Sequence, residues 1–361
     1  MRKAIKYSWL IALCCLFAAY LLSCASAFLS PQTFSWSNFF SIGFPYLFAA
    51  ALVAAVFQAA ISRKGMYLVL FVLAAGAYNM LNLIGTGKSN FSIEKNIKDL
   101  RVLTWNVETF KSENHSGGDS SVISQYLEVI EQYLPDVICL QEYTEDFSPG
   151  SAANFFEKRL AKNGYTFKET IADSTVTENG TVPNGAGLAI YSRLPVKNKQ
   201  AAAFYSGEGI RHMLSVDIAY RGQMVNVNTL HLLSYQIDKH KEAFQKESTL
   251  KYTLRRLINV SKGQQRQAEE YMASMHTKHP KIICGDFNNV PTSYIYNMVK
   301  KNMQDVFLKG ASGFGITFPN FLRTLRIDFI FADKRIQVSQ TKIIATSVSD
   351  HYPLVTDISL R

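Results

Sequence analysis

Six places in this chain set a carboxylate, an amide or an imidazole where an apolar run meets a loop. Asn106 and Glu108 follow the run 100–107, Gln141 and Glu142 end 136–142, and His231 closes 224–231. Gly285-Asp286-Phe287-Asn288 follows a short run from Lys281. Asp328 is embedded in Arg326-Ile327-Asp328-Phe329-Ile330-Phe331, and Ser349-Asp350-His351 precedes the last apolar stretch. Carboxylate and amide oxygens are the ligands a hard divalent cation prefers, and an imidazole beside a carboxylate can move a proton or hold an anion. Each residue alone has a plainer reading. An Asn after a strand is commonly a turn residue, Gly-Asp-Phe-Asn can close an Asx turn, and a lone His is more often structural than catalytic. Asp328 is harder to dismiss, because a carboxylate between Ile327 and Phe329 needs a partner once it is buried. The weight lies in all six places occurring together, in a workable order.

Trp105-Asn106-Val107-Glu108, Gln141-Glu142, His231, Gly285-Asp286-Phe287-Asn288, Ile327-Asp328-Phe329 and Ser349-Asp350-His351 together resemble the ordered motif set of the endonuclease/exonuclease/phosphatase superfamily, the deoxyribonuclease I-like domains. The segment from Gly187 to Pro195 resembles that family's Gly-x-x-Ile-x-Ser-x-x-Pro stretch. The resemblance covers nearly all of residues 98–361. It implies an α/β fold, a four-layer α/β sandwich of two packed mixed β-sheets flanked by helices. It also implies hydrolysis of phosphate esters with Mg2+ or Mn2+ held by Glu142, with Asn106, Glu108 and Asp350. By the same resemblance Asp286 orients or deprotonates the attacking water, Asn288 holds a non-bridging oxygen, and His231 contacts phosphate or assists the leaving group. His351 sits against the phosphate with its ring fixed by Asp328. Whether Asp286 or His351 is the base stays open. Two departures stand out: Asn228-Thr229-Leu230-His231 carries Leu230 where relatives have Thr, and Glu108 stands where repair nucleases carry Asp.

The elements that must position these residues follow from periodicity. Asp119 and Ser120 can cap a helix in which Ile123, Tyr126, Leu127, Ile130 and Leu134 recur at helical spacing before Pro135 ends it. A second helix carries Phe155, Phe156 and Leu160, and residues 237–278 read as mostly helical, with another helix near 293–301. Strands are expected at 100–107, 136–142, 165–171, 187–192, 211–219, 224–231, 281–285, 326–331, 336–345 and 354–360, with Tyr220-Arg221-Gly222-Gln223 as a hairpin turn. Helices alternate with strands, but hairpins interrupt, which excludes a purely parallel sheet.

The first quarter of the chain is different. Apolar stretches at 8–28, 44–61 and 66–84 carry no Asp, Glu, Lys or Arg, and each approaches the ~20 residues a helix needs to cross a bilayer. The expected organisation is a three-span anchor over 1–84, a linker over 85–97 and the catalytic domain over 98–361. Arg2, Lys3 and Lys6 precede the first stretch and Arg63 and Lys64 separate the last two, whereas the loop 31–41 has no basic residue but carries Phe34, Trp36, Phe39 and Phe40. The positive-inside rule then puts the N-terminus and the 62–65 turn in the cytoplasm and everything after Ile84 outside it. A signal peptide with a lipoprotein-like Leu21-Leu22-Ser23-Cys24 box is the rival, and it also leaves the C-terminal domain outside.

Net charge is +10, which favours anionic partners without choosing one. Lys239, Lys241, Lys246, Lys251, Arg255, Arg256, Lys262 and Arg266 can follow a nucleic-acid backbone or an anionic membrane, or form a solvated helix face. Five cysteines without regular spacing, two of them in strand-like runs, are packing residues rather than a disulfide framework. Spans without ionisable groups argue for an anchor over a transport path. The partners implied are the lipid bilayer and a phosphate-ester substrate, with no protein partner. The expected function is a membrane-anchored, metal-dependent phosphoesterase facing outside the cytoplasm. Its alternatives are a metal-dependent nuclease acting on DNA or RNA, and a binding domain that has lost catalysis.

Overall fold

The computed structural model describes residues 2–88, 90–110, 120–144, 152–177, 180–205, 209–235, 249–275, 277–320 and 324–360. In chain order the elements are α1 (Arg2–Ala25), α2 (Ser37–Ile61), α3 (Gly65–Leu83), β1 (Ile84–Thr86), β2 (Leu100–Asn106), α4 (Ser120–Tyr133), β3 (Val137–Tyr143), α5 (Ala152–Lys162), β4 (Phe167–Thr177), β5 (Gly180–Ser192), β6 (Val196–Tyr205), β7 (Ile210–Tyr220), β8 (Gln223–His231), α6 (Thr249–Ser274), β9 (Lys281–Asp286), α7 (Tyr294–Lys300), β10 (Met303–Asp305), α8 (Val306–Gly310), β11 (Ser312–Phe314), β12 (Asp328–Asp333), β13 (Ile336–Ile343) and β14 (Leu354–Leu360). By contacts the chain forms two compact units. One joins Met1–Ile84 with Tyr235–Gln265 and Asn289–Met298, and the other holds Gly85–Ser234, Arg266–Asn288 and Val299–Arg361.

In the first unit, Tyr7–Ala25, Ser37–Ile61 and Gly65–Leu83 are long and apolar enough to cross a membrane by length and composition. Their apolar side chains point both ways. Tyr20, Phe44, Ala51, Ala55 and Val72 form a buried seam, while Leu10, Ile11, Val53, Val56, Leu70 and Phe71 are exposed. A soluble bundle hides its apolar stripe and exposes a polar one; here the outer surface is apolar too, as it is where lipid is the solvent. Gly76 lets the helices close up, since a Cβ there would stand 2.6 Å from the Tyr20 hydroxyl.

The second unit is a mixed α/β fold built on one curled sheet. Strands run β10-β12-β9-β8-β7-β4-β5-β3-β2-β14-β13, with β6 also paired to β7. Among the described residues the two halves of this sheet meet through a single paired position, Ser174 with Ile210, and their inner faces share one core of Leu100, Val102, Cys139, Ile190, Leu214, Val227, Ile282 and Ile330. Alternation along the strands supplies the next layer. Leu103 and Trp105 of β2 face the other way, onto Ile123, Tyr126 and Ile130 of α4 and Phe156 and Leu160 of α5. Beyond the other half, Phe204 meets Tyr271 of α6, and the rings of Phe287, Phe329 and Phe331 pack edge to face and stacked. This is the packed, helix-flanked arrangement the motif order implied.

The expected strands form, and the structure adds the short strands β1, β10 and β11 and two larger differences. Residues 196–205 make β6, which lacks an apolar alternation and pairs along β7 with mostly exposed side chains. The pairing of β4 with β5 runs out to Thr177 and Gly180, beyond the apolar parts of either run. The hairpin turn is as expected, with φ of 52° at Arg221 and 78° at Gly222. Asp119, and Lys239, Lys241 and Lys246 of the basic segment, lie outside the described residues; the described part of that helix begins at Thr249.

One buried ion pair ties the linker to the sheet. Arg101 Nε and Nη2 donate to the two oxygens of Asp357 at 2.6 and 2.7 Å, and its remaining N–H groups reach the carbonyls of Ser92, Ile93 and Tyr133. The Asp357 and Arg101 side chains are 0% and 2% exposed. Removing one partner strands a buried charge, so Asp357→Ala should cost about 3–5 kcal/mol. Thermal unfolding of the full chain should show the lowered midpoint, and an unchanged midpoint would contradict this account of the pair.

Candidate functional site

The site grows out of strand register. β9 pairs in parallel with β8 and antiparallel with β12, so His231 stands opposite Asp286 and Asp286 opposite Asp328, one row across three strands. In the other half-sheet β2 pairs in parallel with β3, bringing Asn106 beside Gln141, and β14 lies antiparallel to β2. The halves join at this end through Asn106, whose Nδ2 donates to Asp286 Oδ2 at 3.1 Å and to Glu142 Oε1 at 3.3 Å. Deeper in, Gln141 Nε2 donates to Thr229 Oγ1 at 2.8 Å across the same gap.

Local irregularities aim the side chains. Glu142 is the extra residue of a β-bulge, for Gln141 pairs with Leu188 and Tyr143 with Gly187, and its φ is 49°. Glu108 and Asn288 also have positive φ, 46° and 49°, a conformation that non-glycine residues keep only where their surroundings enforce it. For Glu108 the backbone N–H donates to Asn106 Oδ1 at 3.0 Å. For Asn288 the backbone N–H donates to Asp286 Oδ1 at 2.8 Å and Nδ2 donates to the Leu232 carbonyl at 3.0 Å. Gly285 must be glycine, with φ of 144° and a hypothetical Cβ only 2.0 Å from the Leu230 carbonyl oxygen.

The Ser349-Asp350-His351 turn is clamped to β2. Ser349 Oγ donates to the Asn106 carbonyl at 2.8 Å and accepts from His351 N–H at 3.2 Å, while Trp105 Nε1 donates to the His351 carbonyl at 2.9 Å. His351 Nδ1 lies 2.9 Å from Asp328 Oδ2, which is the partner the buried carboxylate required. The backbone N–H groups of Ile327 and Asp328 both donate to Thr317 Oγ1, and the Phe318 ring stands 4.9 Å from the imidazole.

All nine residues singled out from the sequence meet at this end of the sheet. His231 Nε2 lies 3.5 Å from Asp286 and 3.8 Å from Glu142, and His351 Nε2 lies 3.8 Å from Asp286 and 3.9 Å from Asp350. Glu108 accepts a hydrogen bond from the Asp350 backbone and stands in the field of Asp350 and Glu142. Ser349, Gln141 and Trp105 sit inside the motifs but were given no role from sequence, and their work as clamps is visible only in three dimensions. Thr317, 11 residues before Asp328, carries no local signal at all.

Crowding of acids in a water-poor place dominates the electrostatics. Burial, then Asp350 and Glu142, push the Glu108 carboxyl up to about 7. Burial and Asp328 push Asp286 well above the carboxylate range, and burial raises Asp350. Burial lowers His231 to about 4, leaving it neutral. Burial alone would lower His351 as well, but Asp328, Asp286 and Asp350 outweigh it and hold the imidazole well above its ordinary value. Ligand atoms of Asp286, Asp328 and His351 lie within 4.8 Å of one another. In that group His351 Nδ1 is already engaged by Asp328, whereas Glu108, Glu142, Asp350 and the Asn106 amide, close enough for the acids to raise one another, offer oxygen donors. Mutually repelling carboxylates and an amide oxygen are the donor chemistry that fits a hard divalent cation.

Residues 103–351 match the model of the Endonuclease/Exonuclease/phosphatase family, and residues 5–83 match a domain of unknown function. No curated protein is matched. Among solved structures, the fold is similar to an endonuclease/exonuclease/phosphatase from Beutenbergia cavernae at 22% identity, covering 73% of this chain and 72% of that one with a TM-score of 0.54. It is also similar to an endonuclease/exonuclease/phosphatase family protein from Leptotrichia buccalis at 19% identity, covering 72% and 100% with a TM-score of 0.52. A third is D. rerio TDP2 complexed with a single-strand DNA product, at 17% identity, covering 72% and 99% with a TM-score of 0.50. These likenesses show the fold, and the family match spans more than half of the sequence: the chain belongs to the Endonuclease/Exonuclease/phosphatase family.

Proposed function

We propose that this protein is a membrane-anchored, divalent-metal-dependent phosphoesterase that hydrolyses phosphate (di)esters outside the cytoplasm. The observation that carries the reading is the meeting of Asn106, Glu108, Glu142, His231, Asp286, Asn288, Asp328, Asp350 and His351 at the junction of two half-sheets, joined by the Asn106 bridge to Asp286 and Glu142. A phosphate diester repels a nucleophile through its own negative oxygens, so its hydrolysis needs charge neutralisation and an oriented water. Glu142, Glu108, Asp350 and Asn106 would hold Mg2+ or Mn2+, which when bound supplies charge stabilisation at the phosphoryl oxygens.

The remaining residues divide the chemistry. Asp328 keeps His351 protonated, so His351 meets the phosphate as a cation, and Asp286 is left to orient or deprotonate the water. Neutral His231 donates a hydrogen bond to phosphate or to the leaving oxygen, and Asn288 holds a non-bridging oxygen. Inactive binding is disfavoured because every side chain these roles need is present. A second reading is a nuclease for DNA or RNA. The fold likeness to TDP2 bound to a single-strand DNA product and the net charge of +10 favour it.

Three helices of spanning length, with basic residues before the first and between the last two, support an odd number of crossings with residues from about 85 onward outside the cytoplasm. Within the first unit, Ser26, Asn38 and Ser41 hydrogen-bond to residues of the 235–265 and 289–298 segments. Those donors and acceptors flank the loop between α1 and α2, the side of the bundle opposite Arg63 and Lys64. A periplasm-active alkaline phosphatase fused after Arg361 should be active and a cytoplasm-only fluorescent protein dark; the reverse pattern would sink the topology.

Purified full-length protein should hydrolyse bis(p-nitrophenyl) phosphate with Mg2+ or Mn2+. Glu142→Gln should remove most turnover, and His351→Ala and Asp286→Asn should each lower kcat by about 10²–10⁴-fold. Full activity in EDTA, or undiminished turnover in Glu142→Gln, would refute the metal role.

The metal also makes a stability prediction with a definite sign. Glu108, at about 7, and Asp286 have folded-state values raised above those of the unfolded chain. The stability this contributes is complete at pH below the ordinary carboxylate range, ~4, and is lost as pH rises through the folded values. In EDTA this site should therefore lower Tm as pH climbs from about 5 to 8, and saturating Mn2+ should raise Tm most at the upper end, where it meets ionised carboxylates. Replacing Glu108 by Gln should flatten the slope; a cation effect that shrinks with rising pH would contradict the assignment.

A further inference from the structure

The residues next to the catalytic motifs in sequence belong to the helical unit. The chain leaves the site at Asn288 and enters the first unit at Asn289; it leaves at His231 and enters again at Tyr235. Within that unit a buried polar network receives both segments. Asn289 Nδ2 donates to Gln264 Oε1 at 2.7 Å, and the same oxygen accepts from Tyr235 Oη at 3.1 Å and from Asn38 Nδ2 of α2 at 3.3 Å. Asn38 Nδ2 also donates to Tyr235 Oη at 2.8 Å. Three residues further along, Thr292 Oγ1 donates to the Ser41 carbonyl at 2.7 Å, and its own carbonyl accepts from Ser26 Oγ at 3.2 Å. Asn297 Nδ2 then donates to the Ala27 carbonyl at 3.0 Å, and its Oδ1 accepts from Tyr78. Ser26, Ser41 and Gln264 are fully buried, and Thr292 nearly so.

An inert tether does not need this. An anchor that only holds an enzyme near a bilayer is served by an apolar surface and a flexible linker, and polar groups sealed from water carry a cost unless each finds a partner. Here the Ser26 hydroxyl meets the Thr292 carbonyl, the Asn38 Nδ2 meets Tyr235 and Gln264, and the Ser41 carbonyl meets the Thr292 hydroxyl. The match falls beside a left-handed position: Asn288 has φ of 49°, a conformation uncommon outside glycine and held here by its surroundings. Asp286 and Leu232 hold Asn288 itself, and Gln264 holds the residue that follows it.

We propose that the ends of α1 and α2 around residues 26–41 are a positioning element of the active centre: by fixing Asn289 and Thr292 they set the backbone of the Asp286–Asn288 loop. Ser26, Asn38 and Ser41 are positioning residues in this scheme, acting through the 289–292 segment and touching no substrate. The helices are then a working part of the enzyme, and the loop conformation depends on an intact bundle.

The test uses the full chain in lipid nanodiscs, with Asn38→Ala and Thr292→Val against wild type and Thr292→Ser as the conservative rescue. Its kinetic arm rests on the phosphoesterase reading. With bis(p-nitrophenyl) phosphate and Mn2+, kcat should fall about tenfold to a hundredfold, as small misplacements of catalytic groups do, with KM within about twofold and Thr292→Ser near wild type. Its second arm is independent of activity: hydrogen exchange of the 286–290 amides should accelerate in Asn38→Ala and Thr292→Val while the β2 and β3 amides stay protected. Wild-type kcat together with wild-type exchange in both variants overturns the inference. So does a loss of kcat that tracks only a lowered global Tm, or that Thr292→Ser fails to restore. If the wild-type chain cleaves no ester, the phosphoesterase reading fails and the exchange arm alone decides this one.

Discussion

Asn106 is the tie on which the polar end of the sheet depends. Its amide donates to Asp286 on one half-sheet and to Glu142 on the other, its Oδ1 accepts from Glu108, and its carbonyl accepts from Ser349. One residue thus touches Glu108, Glu142, Asp286 and the turn that carries His351. Among the described residues the half-sheets are otherwise paired at one position, so side chains across the gap set how far apart the acids stand. Gln141 with Thr229 does the same one layer deeper.

Holding acids together in a nearly dry place is unfavourable, and the structure shows where that is offset. Asp328 is balanced by His351, and the two remain a hydrogen-bonded pair. Burial and neighbouring acids raise the Glu108 and Asp286 carboxyls even though His351 pulls the other way. Crowding that disfavours ionised carboxylates in this way is what a divalent cation in their midst would relieve. Backbone irregularity serves the same end. Glu108, Glu142 and Asn288 all adopt positive φ, and each is pinned by a hydrogen bond or by the bulge it forms.

The helical unit follows a different pattern. Its outer surface is apolar and its seam is closed by small residues and aromatic rings, while its polar atoms gather where α1 and α2 meet the 235–265 and 289–298 segments. Neither local pattern nor hydropathy reveals that these segments group with the first 84 residues, because the Asn, Ser, Thr and Gln contacts responsible join positions up to 270 residues apart.

Much of the protein was legible in one dimension. Strand periodicity, the hairpin at Arg221-Gly222 and three uninterrupted apolar stretches depend on neighbours along the chain, and so does a motif such as Gly285-Asp286-Phe287-Asn288, whose glycine is forced by a local close approach. Six motifs in order sufficed to name nine residues that prove to be neighbours. What local pattern could not supply was anything set by register across the sheet. The row His231–Asp286–Asp328 exists because β9 pairs with β8 and β12 at one offset, and a slip of one residue would turn each side chain to the opposite face. Thr317 holding the Asp328 backbone, Ser349 and Trp105 clamping the His351 turn, the bulge that aims Glu142, and β6 pairing without an apolar pattern all arise from long-range pairing. Composition and spacing therefore determined which groups the chain owns and which stretches are long and apolar enough to span a bilayer; tertiary structure alone decided which acids share a field, because that depends on distances the sequence does not contain.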